Sequence, residues 1–271
     1  MTKTTILALL LLMSVSVSKA QVINEENPEA IDSTPGSPPL ETDDTGTPGP
    51  YGVEANFIGN CDFIEKGKTC GLGLDLNLGF GERTQLRLQR QTLQEANSGQ
   101  ATFYGYGATE LGIKYRFYDF ESWKLALYPS FQFDDDTYPL NPDGSKGISQ
   151  GRAFYLPLLV SKQIGENTFV ANIGYSNNQD DTDKSFIFTS LAIGRAVTDN
   201  LRLMAEMTSE KSKLGRTTTL RTGLVREFSS VKTDFFEKAL FASLGRTLGS
   251  SEDSQTHTFL LIGFTLATKA H

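Results

Sequence analysis

The sequence predicts an all-β fold: a single transmembrane antiparallel barrel of about twelve strands with both termini in the periplasm. Three features support this prediction: a secretory signal at the N-terminus, strand-length segments that alternate apolar and polar residues, and connections that alternate between short and long. Short turns at one side of a barrel and longer loops at the other are typical of bacterial outer-membrane proteins. An even number of strands returns the chain to the side on which it started.

Residues 1–20 have the three parts of a secretory signal peptide. Lys3 supplies the basic start, an apolar run follows over residues 6–17, and Ser18-Lys19-Ala20 provides a small-x-small cleavage site. The apolar run is shorter than the roughly 20 residues that a spanning helix requires. The mature protein is therefore predicted to be exported, with an outer-membrane location in a Gram-negative bacterium.

Residues 21–50 form an acidic segment rich in proline. They hold six of the ten prolines and seven acidic residues, and they contain no lysine or arginine. Such a segment cannot bury enough apolar surface to offset the entropy lost on ordering, so a disordered periplasmic tail is expected. A plug or a partner-binding segment is the alternative. The tail carries much of the net charge of −7, which therefore says little about residues 51–271, the predicted barrel.

The clearest pair of strands lies at residues 71–93. From Gly71 to Phe80 every even position is apolar and every odd position is small or polar. This period of two predicts a strand with one apolar and one polar face. The alternation resumes after the turn at Gly81-Glu82, which predicts a hairpin. In a soluble barrel the apolar row would fill a core, whereas in an outer-membrane barrel it faces lipid and the polar row lines the lumen.

The remaining strands are predicted along the rest of residues 51–271. Pro129 and Pro157 fit this pattern poorly, because a proline removes a ladder hydrogen bond and a closed barrel has no free edge to receive it. They predict bulges or broken strands. The sequence does not decide which face of either strand points into the lumen. The predicted segments are 51–59, 109–118, 123–133, 152–162, 168–175, 186–197, 201–208, 218–227, 238–247 and 258–268.

Cys61 and Cys70 are the two cysteines of the chain. An exported protein with two cysteines usually pairs them, so a disulfide at a predicted outer loop is expected. Loop entropy gives such a bridge a stabilisation of about 2–3 kcal/mol. Two cysteines are too few for a metal site, and neither a metal nor another cofactor is predicted.

The polar face of the predicted strands carries charges of both signs. These side chains either pair and fill a closed lumen, because an unpaired buried charge is costly, or line a narrow pore whose cationic stripe attracts small anions such as aromatic carboxylates. The sequence leaves both alternatives open. The predicted lumen-lining residues are Asp75, Asn77, Arg87, Gln89, Glu110, Lys114, Arg116, Lys124, Gln132, Arg202, Glu206 and Arg221.

Catalysis has little support in the sequence, and an enzyme is not predicted. His257, at the outer start of the last predicted strand, is the one residue placed to act as the base of a lipid-modifying outer-membrane enzyme. No recognisable motif with a nearby serine or asparagine accompanies it. Acidic residues cluster at 134–143 and 180–183, where solvated loop tips are a simpler interpretation than calcium sites.

Several segments together resemble the outer-membrane family labelled after meta-pathway phenol degradation. The resemblance implies a transporter-like barrel that passes small, often aromatic, compounds, and it implies no individual site residues. It covers about residues 47–268 and rests on TPGP, LDLNLGFGERTQLRLQ, ELGIKYRFYD, ALYPSFQF, LPLLVSKQIGENTFVANIGYS and LAIGRAVTDNLRLMAE.

The predicted function is an outer-membrane channel for the passive uptake of small solutes, with aromatic or anionic compounds as candidates. One alternative is a structural or surface-interaction barrel with a salt-bridged, closed lumen, and another is a lipid-modifying enzyme. The predicted partners are outer-membrane lipid, lipopolysaccharide and small solutes, without nucleic acid. The sequence does not name a solute or an oligomeric state.

Overall fold

The computed structural model of the chain describes residues 38–65, 67–97, 102–105, 107–133, 151–228, 236–251 and 256–268. Among these residues, no helix has the length and apolar character needed to cross a membrane. One short 3-10 helix spans Thr182–Lys184. The strands are β1 (Val53–Ile64), β2 (Gly67–Phe80), β3 (Thr84–Asn97), β4 (Thr102–Gly105), β5 (Thr109–Phe120), β6 (Trp123–Leu127), β7 (Ser130–Phe133), β8 (Ala153–Ile164), β9 (Asn167–Asn178), β10 (Phe186–Thr198), β11 (Leu201–Ser212), β12 (Arg216–Phe228), β13 (Phe236–Ser250) and β14 (Thr258–Thr268).

These segments form one closed antiparallel barrel. The sheet closes because β1 pairs with β14 and β3 pairs with β5. β6 and β7 are two halves of one barrel strand, since both pair with β5 on one side and β8 on the other. β4 pairs with β3 just beyond the β3–β5 ladder and so extends the same wall. The barrel therefore has twelve strands, and the predicted fold class is confirmed.

The hairpin of β2 and β3 shows which face of the wall is apolar. Leu72 and Phe80 are 57% and 59% exposed, whereas Asp75 and Asn77 are buried inside the barrel. The same arrangement is repeated around the ring, where large apolar side chains dominate the exposed outer surface. A soluble protein rarely exposes so much contiguous apolar surface. The apolar row faces outward and the polar row faces the lumen, as an outer-membrane barrel requires.

The two prolines are accommodated in different ways. Pro129 separates β6 from β7, while Pro157 lies buried inside the continuous β8. The N–H of Ile113 donates to the Pro129 carbonyl at 3.0 Å, and the N–H of Tyr128 donates to the Pro157 carbonyl at 3.2 Å. Each proline thus keeps its acceptor in the ladder although it lacks a donor. The predicted strand at 123–133 is broken as anticipated, and the strand at 152–162 is continuous.

The two ends of the barrel differ. At the turn end, tight turns at residues 81–83, 121–122, 165–166 and 199–200 join the strands. Glu54 pairs with Ala267 there, so the start of β1 and the end of β14 meet at this end. At the opposite, loop end the strands run further than predicted. The predicted loop at 61–70 is a continued hairpin, because backbone pairing persists after the side chains lose their apolar alternation.

Cys61 and Cys70 form the predicted disulfide, and they do so within that hairpin. The two residues are direct cross-strand neighbours in β1 and β2. The bridge therefore joins two strands that the ladder already holds together. The pairing is confirmed, while its position differs from the predicted outer loop.

Replacing both Cys61 and Cys70 by serine is expected to lower the free energy of unfolding by about 2–3 kcal/mol at most, because the bridge closes a short loop. Urea unfolding of the mature barrel in lipid, with and without reductant, measures this loss. Reductant should leave the double variant unchanged. A variant that no longer forms a heat-modifiable barrel would show that the bridge is needed for assembly.

Residues 38–50, the described part of the acidic segment, lie inside the barrel. Leu40, Thr42 and Thr45 are buried there. For these residues the structure differs from the predicted disordered tail, because their carboxylates meet cations of the wall and Leu40 meets an apolar surface. We call residues 38–50 the lumen plug. The predicted signal at 1–20 and the rest of the tail, 21–37, lie outside the described residues.

Candidate functional site: the barrel lumen

A wall carboxylate holds the middle of the lumen plug. Glu206 on β11 accepts hydrogen bonds from the Glu41 N–H at 2.9 Å and from the Thr42 N–H at 2.9 Å. The Thr42 hydroxyl donates to the same carboxylate at 2.7 Å. Two backbone donors of the plug therefore find the acceptor that a buried N–H requires.

Arg221 on β12 lies next to this contact and is itself buried. Its guanidinium pairs with Glu41 of the plug at 2.5 Å and lies 3.4 Å from the Glu206 carboxylate. On the next strand, the Ser243 hydroxyl donates to the Pro39 carbonyl at 2.8 Å. One side of the lumen thus binds both the charge and the backbone of the plug.

The opposite wall provides two further cations. Arg87 on β3 donates through Nε to Asp75 at 2.8 Å and through Nη1 to Asp43 of the plug at 2.8 Å. Lys114 on β5 lies 3.6 Å from Asp44 of the plug. Arg87 is therefore shared between a carboxylate of the wall and a carboxylate of the plug, a geometry that suits the fork of a guanidinium group.

The buried side chain of Tyr128 lies next to these two cations in the lumen. Its ring lies 5.8 Å from the Arg87 guanidinium and 5.9 Å from the Lys114 ammonium. Its hydroxyl donates to Glu110 at 2.8 Å. A cation within about 6 Å of an aromatic face is attracted to it, so the ring helps to hold both cations in place.

Leu40 of the plug packs into an apolar patch on the inner wall, which was not predicted from the sequence. The sequence does contain an indication of this patch. Met204 alternates with Arg202 and Glu206 on the inward face of β11, and Val170 shares the inward face of β9 with Asn172. The patch comprises Val170, Ala192, Met204, Val225, Ala239 and Phe241.

The plug lies between two cavities. The larger, of about 890 Å³, lies toward the loop end. It is lined by aromatic residues such as Tyr155, Phe188 and Phe259, and the Arg221 guanidinium lies 5.5 Å from the Phe259 ring. The smaller, of about 150 Å³, lies toward the turn end among polar side chains such as Glu54 and Gln85.

All twelve predicted lumen residues lie on the inward face, but they fall into three groups. One group surrounds the plug, a second lines the larger cavity, and a third lies near the turn end, where Arg116 pairs with Asp119 and Arg202 pairs with Glu227. The first group is Asp75, Asn77, Arg87, Lys114, Glu206 and Arg221, the second is Gln89, Glu110 and Gln132, and the third is Arg116, Lys124 and Arg202.

His257 lies at the loop end with its Nδ1 2.8 Å from the Asp62 carboxylate and its ring stacked on Phe259. A histidine and a carboxylate do not by themselves make a nucleophilic site, which also needs a hydroxyl or thiol beside the imidazole. The lumen contacts described above offer binding rather than covalent chemistry.

The acidic loop residues at 180–183 are engaged in ion pairs. Asp180 accepts hydrogen bonds from Arg152, which hold the pKa of its carboxyl below the usual range, and Asp183 pairs with Lys213 at 2.8 Å. Across the part of the chain that the structure describes, no group of three histidine, cysteine, aspartate or glutamate residues is placed to hold a metal ion.

A glycine on β2 leaves room for the turn at Gly49 that joins the plug to β1. Gly79 on β2 faces inward, and a Cβ added there would overlap the Gly49 carbonyl of the plug. Gly79→Ala is therefore expected to push this turn away and to speed cleavage after Glu41 by a Glu-specific protease several-fold, measured by mass spectrometry. Gly59→Ala, whose Cβ has its nearest neighbour at 3.6 Å, is the matched control. Equal rates for both variants would contradict this packing.

Solved structures share this barrel architecture. The COG4313 outer membrane channel from Pseudomonas putida F1 is 15% identical, with a TM-score of 0.58 over 84% of this chain and 99% of that one. The NanC porin is 9% identical, with a TM-score of 0.55 over 80% and 100% of the two chains. The KdgM porin is 10% identical, with a TM-score of 0.51 over 80% and 99%, and is also known in complex with disordered oligogalacturonate.

No protein-family model and no curated protein matches the sequence. At identities this low the structural likeness shows the fold, which is that of outer-membrane porins and channels. The label after phenol degradation stays a prediction.

Proposed function

We propose that the chain is an outer-membrane channel for the passive uptake of small solutes. The observation that carries this proposal is the cavity of about 890 Å³ inside a closed barrel whose outer face is apolar. A cavity of that volume is large enough for a small organic molecule. The predicted signal peptide at residues 1–20 supports export of the chain, and a Gram-negative outer membrane is the environment that such a barrel requires.

The chemistry of the cavity supports aromatic carboxylates as solutes. Tyr155, Phe188 and Phe259 present rings to it, and Arg221 presents a cation beside the Phe259 ring. An aromatic acid places its ring against such rings and its carboxylate at the guanidinium. The sequence resemblance to a transporter-like family associated with small aromatic compounds supports the same class.

A structural barrel with a closed lumen is the second candidate. The observation in its favour is the set of ion pairs between the plug and Arg87, Lys114 and Arg221, which fill the lumen on the turn-end side of the larger cavity. A barrel of this kind would act through its loop end and would pass no solute.

Swelling of proteoliposomes distinguishes these candidates. We expect benzoate to enter faster than acetate through the mature protein, and we expect Phe259→Leu to lower the benzoate-to-acetate ratio because it removes a ring from the cavity. Leu244→Ala, on the lipid-facing side of β13, is the control and should keep the ratio. Swelling no faster than in protein-free liposomes, for every solute, would favour the closed barrel.

A further inference from the structure

We propose that the lumen plug is displaceable and that it occupies a carboxylate-binding site of the barrel. In this proposal, Glu41, Asp43 and Asp44 hold the positions that the carboxylates of a polycarboxylate solute take when the plug leaves. The proposal rests on the channel function proposed above and adds a ligand class and a gate to it.

Each plug carboxylate lies beside a different buried cation. Glu41 pairs with Arg221, Asp43 pairs with Arg87 and Asp44 lies beside Lys114. The side chains of these three cations are only 5–6% exposed. A buried cation is costly to leave without an anion, so the wall is built to receive carboxylates at these three points. We call Arg87, Lys114 and Arg221 the lumen cations.

The wall itself supplies further partners for the lumen cations. Asp75 accepts hydrogen bonds from two nitrogens of Arg87, at 2.8 and 3.1 Å, and Glu206 lies 3.4 Å from Arg221. Lys114 lies beside the Tyr128 ring. The barrel therefore keeps part of its charge compensation when the plug leaves, and each cation regains capacity for an external carboxylate.

The plug is not a strand of the sheet. Its described backbone contacts at residues 39, 41 and 42 are made with the side chains of Glu206 and Ser243. A barrel strand would instead share a ladder of backbone hydrogen bonds with each neighbour. The plug can therefore move without breaking the pairing of the wall.

A turn at residues 49–52 joins the plug to β1. Gly49 has a φ of 79°, a conformation that suits glycine, and the following turn is closed by the Gly52 N–H donating to the Gly49 carbonyl at 3.1 Å. This turn lies at the turn end of the barrel, where β1 begins. Rotation about it would carry residues 38–48 out of the lumen on that side.

A reversible disulfide lock between the plug and the wall tests whether the plug can leave the lumen. A Cβ added at Gly223 lies 3.1 Å from Cγ of Pro39, so a disulfide in Pro39→Cys/Gly223→Cys would tie the plug to β12. We expect the mature oxidised variant to carry at least ten-fold less current in a planar bilayer than the same variant after reduction. Wild type treated with the same reductant controls for loss of the Cys61–Cys70 bridge and should not change.

The carboxylate site is tested with citrate as the probe and acetate at equal ionic strength as the control. Citrate is expected to raise the open fraction of wild type several-fold, and acetate is not. The full-length variant Glu41→Gln/Asp43→Asn/Asp44→Asn is expected to be open without citrate. A difference in electrophoretic mobility between heated and unheated samples verifies that each variant has folded.

The possible outcomes separate the two proposals. Equal and measurable current through the oxidised and reduced lock would overturn the displaceable plug and leave the channel function standing. A working lock without any response to citrate would overturn the carboxylate site. Silence of every folded form, including the neutralised variant, would overturn the channel function and the gate together.

Discussion

Arg87→Met is expected to lower the free energy of unfolding by about 3–5 kcal/mol, the loss typical of breaking a buried ion pair by removing one partner. Asp75 is fully buried and receives two hydrogen bonds from this guanidinium. Asp43 of the plug loses its partner as well. Urea unfolding of the lipid-embedded barrel, followed through the fluorescence of the one tryptophan, Trp123, measures the change.

Two further variants identify the cause of that loss. Asp75→Asn/Arg87→Met removes the stranded charge and should recover much of the stability, because the cost comes from the unpaired carboxylate. Arg195→Met removes an exposed arginine that pairs with Glu166 near the turn end and should change stability by no more than about 0.5 kcal/mol. Wild-type stability in Arg87→Met would show that Asp75 is solvated through the lumen.

Phe241→Ala is expected to cost about 3–5 kcal/mol, as for other buried phenylalanines. Phe241 belongs to the inner apolar patch and is 2% exposed. Its ring lies directly over Gly263 on β14, where an added Cβ would overlap it. Truncation therefore removes contacts with both the wall and Leu40 of the plug, and a cavity remains.

Leu244→Ala provides the matched control on the same strand. Leu244 faces outward, so its truncation removes contact with lipid and should cost clearly less than the loss of Phe241. The same urea titration compares the two variants. Equal losses would indicate that the inner patch is not tightly packed and that water already fills the space around Leu40.

The alternation of side chains was sufficient to predict the wall of the barrel. Leu72 and Asp75 fall on opposite faces because a strand has a period of two, and no distant contact alters that geometry. The structure likewise explains why glycines are frequent on the inner face. Gly112 lies under the Tyr128 ring and Gly263 lies under the Phe241 ring, so a larger residue would collide with an aromatic side chain.

The same pattern could not decide between a disordered tail and a plug for the acidic segment. Composition describes how a segment behaves alone, and an acidic, proline-rich segment alone has nothing to bury. Asp43 and its partner Arg87 are 44 residues apart in the sequence, and Glu41 and Arg221 are 180 residues apart. These partners are brought to the plug only by the folded wall. The inner apolar patch was also not predicted. Val170 and Met204 have apolar neighbours on the outward face, so the sequence around them does not alternate and does not show that they point into the lumen.

The site combines the two readings of the lumen charges that the sequence left open. Arg87 and Arg221 are paired, as a closed lumen requires, yet part of their pairing comes from a segment outside the sheet. The proposed channel with a displaceable plug accommodates both observations, because the charges are compensated with the plug in place and would become available on its displacement.

Single-channel recording of the wild-type mature protein in a planar bilayer, under a gradient of potassium chloride, is the most direct test. We expect discrete current steps whose reversal potential indicates a preference for anions, because Arg221 and Arg87 border the larger cavity. Protein that migrates as a folded, heat-modifiable barrel and inserts into the bilayer, yet gives no steps in the wild type or in the charge-neutralised plug variant, would contradict a channel.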